Sequence, residues 1–143
     1  TPHIIIDGAH NRSKMRSTVS NLKRLTYKRL HVVFAMVDDK DHDLVLAEIL
    51  PLAETLFLTR FQIKDRKCAH PKELAARSKR YLQKRVQTHI FLDPHRALDA
   101  AMRSAGAHDL ILVTGSFYLA GELRSRWFNE ERVLRTRRSF SHR

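Results

Sequence analysis

Five times over, the chain passes from a short run of apolar and β-branched residues into a longer stretch with helical spacing, and that alternation limits the layers it can build. His3 to Asp7 is the first such run, broken at once by Gly8; Leu30 to Val37, Thr55 to Thr59, Thr88 to Leu92 and Leu110 to Thr114 follow. Short apolar runs of this kind suit strands buried on both faces, as in parallel sheets. Between them Met15, Val19, Leu22 and Leu25 form one helical stripe, and Leu44, Val45, Ala47 and Leu50 form another that stops near Pro51. Pro71 opens a predicted helix reaching Val86. Asp93-Pro94 supplies an N-cap and a first-turn proline for a helix carrying Ala97, Leu98, Ala101 and Met102 up to Gly106. After Gly115-Ser116, Leu119, Ala120, Leu123 and Trp127 continue a fifth helical face.

Strand-then-helix repetition predicts an α/β, Rossmann-like three-layer domain: a mostly parallel sheet of five or six strands, helices on both faces and right-handed crossovers. With 143 residues and 43% hydrophobic content, one core is affordable, so residues 1–128 are read as one domain. The Arg-rich segment 129–143 is expected to be a basic, disordered tail. No run of eighteen or more apolar residues occurs, and no leader pattern precedes the first strand, so a cytoplasmic protein is expected. Cys68 is the only cysteine, which excludes an internal disulfide and a thiolate metal cluster.

Twenty-seven Lys and Arg against fifteen Asp and Glu leave a formal charge of +12, a field that attracts polyanions of any kind. Lys23, Arg24, Lys79, Arg80, Lys84 and Arg85 fall on predicted solvent faces. The nine histidines lack the paired helical spacing of zinc sites, and the four glycines nowhere form a phosphate-binding P-loop, so no metal site is assigned and ATP, if used, is held mainly elsewhere.

In open α/β sheets ligands bind beyond the carboxyl ends of the strands. Asp7-Gly8-Ala9-His10-Asn11 lies at such an end. Its carboxylate can accept from ribose hydroxyls or an ammonium, while His10 and the N–H groups of the following helix can face an anion. The same five residues also satisfy a plain turn followed by a helix cap. Lys40, between Asp39 and Asp41, is either a salt-bridge cluster or a second anion contact, and Arg66 is either a surface residue or part of the same cleft. Gly115-Ser116 offers close backbone approach and a hydroxyl at a helix start, suited to a ligand carboxylate or to an N-cap. No G-x-S-x-G elbow surrounds Ser116, so it is not read as a nucleophile.

Taken in order, Ile4-Ile5-Ile6-Asp7-Gly8-Ala9-His10-Asn11, Asp39-Lys40-Asp41 and Leu112-Val113-Thr114-Gly115-Ser116-Phe117-Tyr118 resemble the carboxy-terminal glutamate ligase domain of folylpolyglutamate and dihydrofolate synthases, within the Mur ligase superfamily. The resemblance runs from Thr1 to about Arg124. It implies an ATP-dependent carboxylate–amine ligase with Mg²⁺ and ATP held mainly by an amino-terminal P-loop domain of the same polypeptide. L-glutamate would be joined to a folate or dihydropteroate carboxylate through an acyl phosphate. Carried over residue by residue, Asp7, His10 and Asn11 would contact the nucleotide; His10 would also lie toward the incoming glutamate and act in catalysis; and Gly115 and Ser116 would help hold that glutamate. Lys40, Asp41 and Arg66 are weaker candidates for the same cleft. Where the family usually has proline after D-G-A-H-N, this chain has Arg12, which adds positive charge beside the cleft. Thr1 falls just before the family's first carboxy-terminal strand, so the chain is expected to be one piece of a longer polypeptide, inactive alone.

Two further readings compete. A basic Rossmann-like nucleic-acid-binding module would use the helices and the tail from Arg124 to Arg143; it calls for aromatics interleaved with basic residues, where Phe128 and Phe140 give thin support. A stand-alone regulatory amino-acid-binding domain would show full affinity for glutamate without a partner domain.

Overall fold

A computed structural model describes residues 1–127; the boundary expected at residue 128 and the basic tail at 129–143 lie outside the described residues. Strands β1 (His3–Ile6), β2 (Leu30–Phe34), β3 (Thr55–Leu58), β4 (Gln87–Ile90) and β5 (Leu110–Thr114) alternate with helices α1 (Arg12–Leu22), α2 (His42–Ile49), α3 (Pro71–Ser78), α4 (Pro94–Ser104) and α5 (Phe117–Arg124). The strands form one sheet in the order β1-β5-β2-β3-β4, and every neighbouring pair is parallel. Of the five or six strands expected, the described residues supply five.

The alternation of side chains along the central strands divides the core in two. Val32 and Phe34 of β2 and Leu112 of β5 point to one face, where Met15 of α1, Val45 of α2 and Leu74 of α3 meet them. Val33, Ile111 and Val113 point to the other, closed by Ala97 and Ala101 of α4 and by Leu119 and Leu123 of α5. The path explains the layers. From β1 through β2 and β3 to β4 the chain moves in one direction and its helices share one face; α4 carries it back to β5 over the other face, as a single crossover hand requires. Consequently the helices that follow β5 leave on the opposite face from those that follow its neighbours β1 and β2, which opens a crevice at the carboxyl end of β5.

Local chemistry sets the helix starts. Asn11 Oδ1 accepts the Lys14 N–H at 2.8 Å, Asp93 Oδ1 accepts the His95 N–H at 2.9 Å, and Ser116 Oγ accepts the Tyr118 N–H at 3.0 Å. The ends differ from the sequence expectations in five places. First, α3 stops at Ser78, not near Val86. Ser78 Oγ turns back onto the Leu74 carbonyl at 2.6 Å, and the N–H groups of Tyr81 and Leu82 both close on the Ser78 carbonyl. Continuing the helix would also place Arg80 and Lys84 one turn apart with like charge. Second, β2 pairs in the ladder only to Phe34, because β5 ends opposite it at Thr114; Ala35 to Val37 run on buried, with the Met36 carbonyl accepting the Ala69 N–H at 2.8 Å and Val37 in an isolated antiparallel bridge with Cys68. Third, β4 lies at Gln87–Ile90 rather than from Thr88 to Leu92, its register set by pairing with β3. Fourth, Leu25 lies beyond the end of α1 and is exposed, and Trp127 lies beyond the end of α5. Fifth, α2 is rotated from the predicted stripe: His42, Val45, Leu46 and Ile49 are its buried face, while Leu44 and Ala47 face out. The buried His42 makes this rotation possible, since its Nε2–H donates to the Val37 carbonyl at 2.9 Å and so satisfies its polar atom.

Candidate functional site

The loop after β1 is built around Asp7. One carboxylate oxygen accepts the Ala9 N–H at 3.1 Å, and the other accepts the hydroxyl of Thr18, a buried residue in the middle of α1. Asp7 therefore ties the strand end to the helix it feeds, and both its oxygens have internal partners. The arrangement turns the next residues outward. The Gly8 carbonyl accepts from His10 at 3.1 Å, so His10 Nδ1 carries the proton and Nε2 is left without a hydrogen-bond partner among the described residues.

The loop after β5 packs against it. The Gly115 N–H donates to the Ala9 carbonyl at 3.0 Å, joining the two loops. Gly115 has φ of 102°, and a Cβ there would lie 2.4 Å from the Ala35 carbonyl oxygen and 2.6 Å from the Phe34 ring. The backbone that approaches this glycine closely is the protein's own, at the end of β2, rather than only a ligand's. Ser116, 1% exposed, caps α5 through the N–H groups of Tyr118 and Leu119.

Together these loops wall a cleft of about 260 Å³ at the carboxyl end of β5, lined by His10, Val37, Lys40, Arg66, Gly115, Ser116, Phe117 and Tyr118. An adjoining, mainly apolar hollow of about 310 Å³ shares His10 and Lys40 and adds Asn11, Asp41 and Leu44. Seven of the sequence-selected residues thus border one of these two spaces by side chain or loop, and Gly115 and Ser116 with His10, Lys40 and Arg66 border the same one. Asp7 sits at the same sheet edge behind His10. Asn11 caps α1, and Asp41 precedes α2 without a side-chain hydrogen bond to it.

Sequence reasoning passed over three contributors. Tyr118, quoted within a motif but given no role, stands between Phe61, 5.4 Å away ring to ring, and the Arg66 guanidinium, 6.0 Å from its centre. Arg66 also lies 3.6 Å from Asp39. Phe117, 70% exposed, lies against Gly8, whose Cβ would be 3.4 Å from the Phe117 Cα. Thr18 anchors Asp7, and its signal was legible: a polar residue within the apolar stripe of Met15, Val19 and Leu22. The cleft is receptive to anions, with Lys40, Arg66, the His10 ring and the N-terminus of α5 around it. Among the described residues no group of three His, Cys, Asp or Glu is placed to hold a metal ion. None of the described helices is long and apolar enough to cross a membrane.

Fold and cleft define a Rossmann-like α/β domain with an anion-receptive crevice at the switch point of its sheet. More particularly, the chain belongs to the Mur ligase, glutamate ligase domain family, whose match covers residues 1–117. It is 29% identical over 126 residues to a probable bifunctional folylpolyglutamate synthase/dihydropteroate synthase of Haloferax volcanii, a match covering 88% of this chain and 14% of that protein. It is 24% identical to a Bacillus subtilis dihydrofolate synthase/folylpolyglutamate synthase, covering 87% of this chain and 28% of the relative. Among solved structures, Escherichia coli FolC in complex with ADP superposes with a TM-score of 0.73 at 26% identity, covering 95% of this chain and 29% of that one. A bifunctional folylpolyglutamate synthase/dihydrofolate synthase with Mn, AMPPNP and L-glutamate bound gives 0.76 at 25% identity, over 88% and 29%. The Mycobacterium tuberculosis folylpolyglutamate synthase, complexed with ADP and AMPPCP, shares the fold with a TM-score of 0.77. The chain therefore spans between about a seventh and a third of the length of these proteins.

Proposed function

We propose that this chain is the carboxy-terminal domain of a cytoplasmic ATP-dependent ligase that joins L-glutamate to a folate-type carboxylate. The observation that carries this reading is the cleft itself, where His10, Lys40, Arg66 and Ser116 converge from four separate loops on a space sized for a small dicarboxylate. Support comes from a related structure described as holding Mn, AMPPNP and L-glutamate. ATP would supply the phosphoryl group that activates the acceptor carboxylate as an acyl phosphate, from which the glutamate amine displaces phosphate.

The chain's own residues then divide the work. Ser116 and the start of α5 hold a glutamate carboxylate, with Lys40 and Arg66 as the cationic wall. His10 Nε2 faces the phosphates and the amine, where it stabilises charge as the acyl phosphate is attacked. Asp7 fixes the turn that aims His10; a carboxylate has room for more than two donors, so it can still accept from a ribose hydroxyl. Asn11 and Gly115 shape the two loops. Mg²⁺ and most of the nucleotide belong to an amino-terminal P-loop domain of the same polypeptide, because the sequence here contains no P-loop. The domain's contribution is closure, since an acyl phosphate needs shielding from water while the amine is positioned. Nucleic-acid binding is not favoured by any of the relatives matched.

ADP release with folate substrate, glutamate and Mg²⁺ tests the division of labour. The 143-residue chain should show none, and the parent polypeptide should show it with dependence on glutamate. Turnover by the chain alone on the order of 1 s⁻¹ would overturn the reading.

A further inference from the structure

The carboxyl edge of the sheet holds a space larger than the proposed glutamate cleft. On the far side of the Tyr118 ring lies a second cleft of about 440 Å³, bordered by the loop after β3, the loop after β4 and the first turns of α5. Its charge pattern is distinctive. Arg60 is partly buried there, and among the described residues no carboxylate lies within ion-pair distance of it. A guanidinium removed in part from water and left unpaired is a standing invitation to an anion. Beside it, fully buried Thr59 keeps a hydroxyl without a hydrogen-bond partner among the described residues.

Across the cleft stand two carboxylates. Asp93 uses Oδ1 to cap α4, its Oδ2 has no hydrogen-bond partner among the described residues, and Glu122 meets His95 at 3.2 Å through Oε1. Apolar side chains also line the cleft, Phe61, Ile63, Tyr118, Pro94 and Leu92, the last 49% exposed, together with the polar Gln62. One positive group facing two negative ones repels a dicarboxylate and favours a ligand with one carboxylate, one ammonium and an apolar body.

We propose that this second cleft is an accessory site for a neutral apolar α-amino acid, with the carboxylate on Arg60, the ammonium toward Asp93 and Glu122, and the side chain over Phe61 and Leu92. The site shares only the Tyr118 ring with the glutamate cleft, and its ligand class is opposite in charge preference. It does not rest on the ligase reading, and either can fail without the other.

Amide-resolved NMR of the ¹⁵N-labelled chain tests it, with L-phenylalanine, phenethylamine and L-glutamate as probes. L-phenylalanine should shift the amides of residues 60–63 and 92–95, and phenethylamine, which lacks the carboxylate, should bind at least about tenfold more weakly. Arg60→Ala should weaken L-phenylalanine by about ten- to a hundredfold while its spectrum stays dispersed as in the wild type, and Lys40→Ala should leave that affinity unchanged. L-glutamate should perturb His10 and Ser116 rather than this cleft. The proposal is overturned if millimolar L-phenylalanine shifts nothing, if its shifts centre on Ser116, or if Arg60→Ala binds it as tightly as the wild type.

Discussion

The two edges of the sheet use polar residues in opposite ways. At the carboxyl edge, Lys40 and Arg60 have no ion-pair partner among the described residues, His10 presents a free ring nitrogen, and Phe117 is left in solvent. At the amino edge the polar groups are closed onto one another. Asp109, 2% exposed, accepts from His31 Nε2–H at 2.9 Å, from the Gly106 N–H at 2.9 Å and from Arg29, whose guanidinium lies 3.1 Å away. His31 Nδ1 is hydrogen-bonded with the Thr55 hydroxyl at 2.6 Å. One network ties β2, β3 and the turn before β5, and commits the buried Asp109 carboxylate and both ring nitrogens of His31 to internal partners. A sheet can thus be held together at one end and kept receptive at the other, and mutations at the two ends should separate stability from function.

The largest stability effect should come from the closed edge. Asp109→Asn keeps the shape but removes the charge that His31 and Arg29 address, and one buried partner mismatched in a charged network costs about 3 kcal/mol. Ligase kinetics in the parent polypeptide should be unchanged below the unfolding temperature. The pH dependence adds a second check. Burial alone would raise the Asp109 pKa, but the hydrogen bonds from His31, the Gly106 N–H and Arg29 outweigh it and bring it from the ordinary 3.8 to about 2. A carboxyl depressed by folding stabilises fully above the unfolded value, and that contribution is lost as pH falls from about 4 to 2. Chemical denaturation across that window should show the loss in the wild type and a flatter profile in Asp109→Asn. A variant as stable as the wild type would mean the network is ornamental.

What the sequence made legible divides along similar lines. Every strand was visible as an apolar run and four of the five helix starts as caps or prolines, because those signals are local: Asn11, Pro71, Asp93-Pro94 and Ser116 act on their own first turns. Invisible was whatever depends on strand order. Nothing local says that β5 inserts between β1 and β2, so the hydrogen bond joining Gly115 to Ala9, the crowding of Gly115 against Ala35 and the meeting of His31 with Asp109, 78 positions apart, could not be read. The candidate residues were selected by motif, and the topology explains why motifs far apart share an edge. It also shows that three of them, Asp7, Asn11 and Ser116, have structural partners of the kind that a turn and cap alone would need.

Ser116 is where the comparison is sharpest, because it serves both ends of it. As the cap of α5 its hydroxyl is structural, and Ser116→Ala should lower stability by about 1 kcal/mol. As a carboxylate contact it should also raise the apparent KM for glutamate by about ten- to a hundredfold in the parent polypeptide, with KM for ATP little changed. Thermal denaturation and steady-state kinetics separate the two roles. A stability loss with an unaltered glutamate KM would make Ser116 a cap and nothing more.

The smallest stability effect belongs to Lys40, and its smallness is the point. It is exposed and makes no ion pair with the described residues, so Lys40→Met, which retains the apolar stem, should change stability by less than about 0.5 kcal/mol. Its charge nevertheless borders the cleft at the carboxyl end of β5 and the hollow beside it, within reach of any anion bound between His10 and Ser116. An exposed charge pair about 4 Å apart is worth roughly 1 kcal/mol in water, so KM for glutamate should rise about fivefold at low salt. Because the contact is open to solvent, added salt should screen it, and the gap between wild type and variant should narrow as ionic strength rises from about 0.01 M to 1 M, over which the screening length falls from about 30 Å to 3 Å. Kinetics at those two salt concentrations decide the matter. Equal KM values at low salt would return Lys40 to the solvated surface, and a gap that ignores salt would mean that it acts through the fold of the β2–α2 loop and not through its charge.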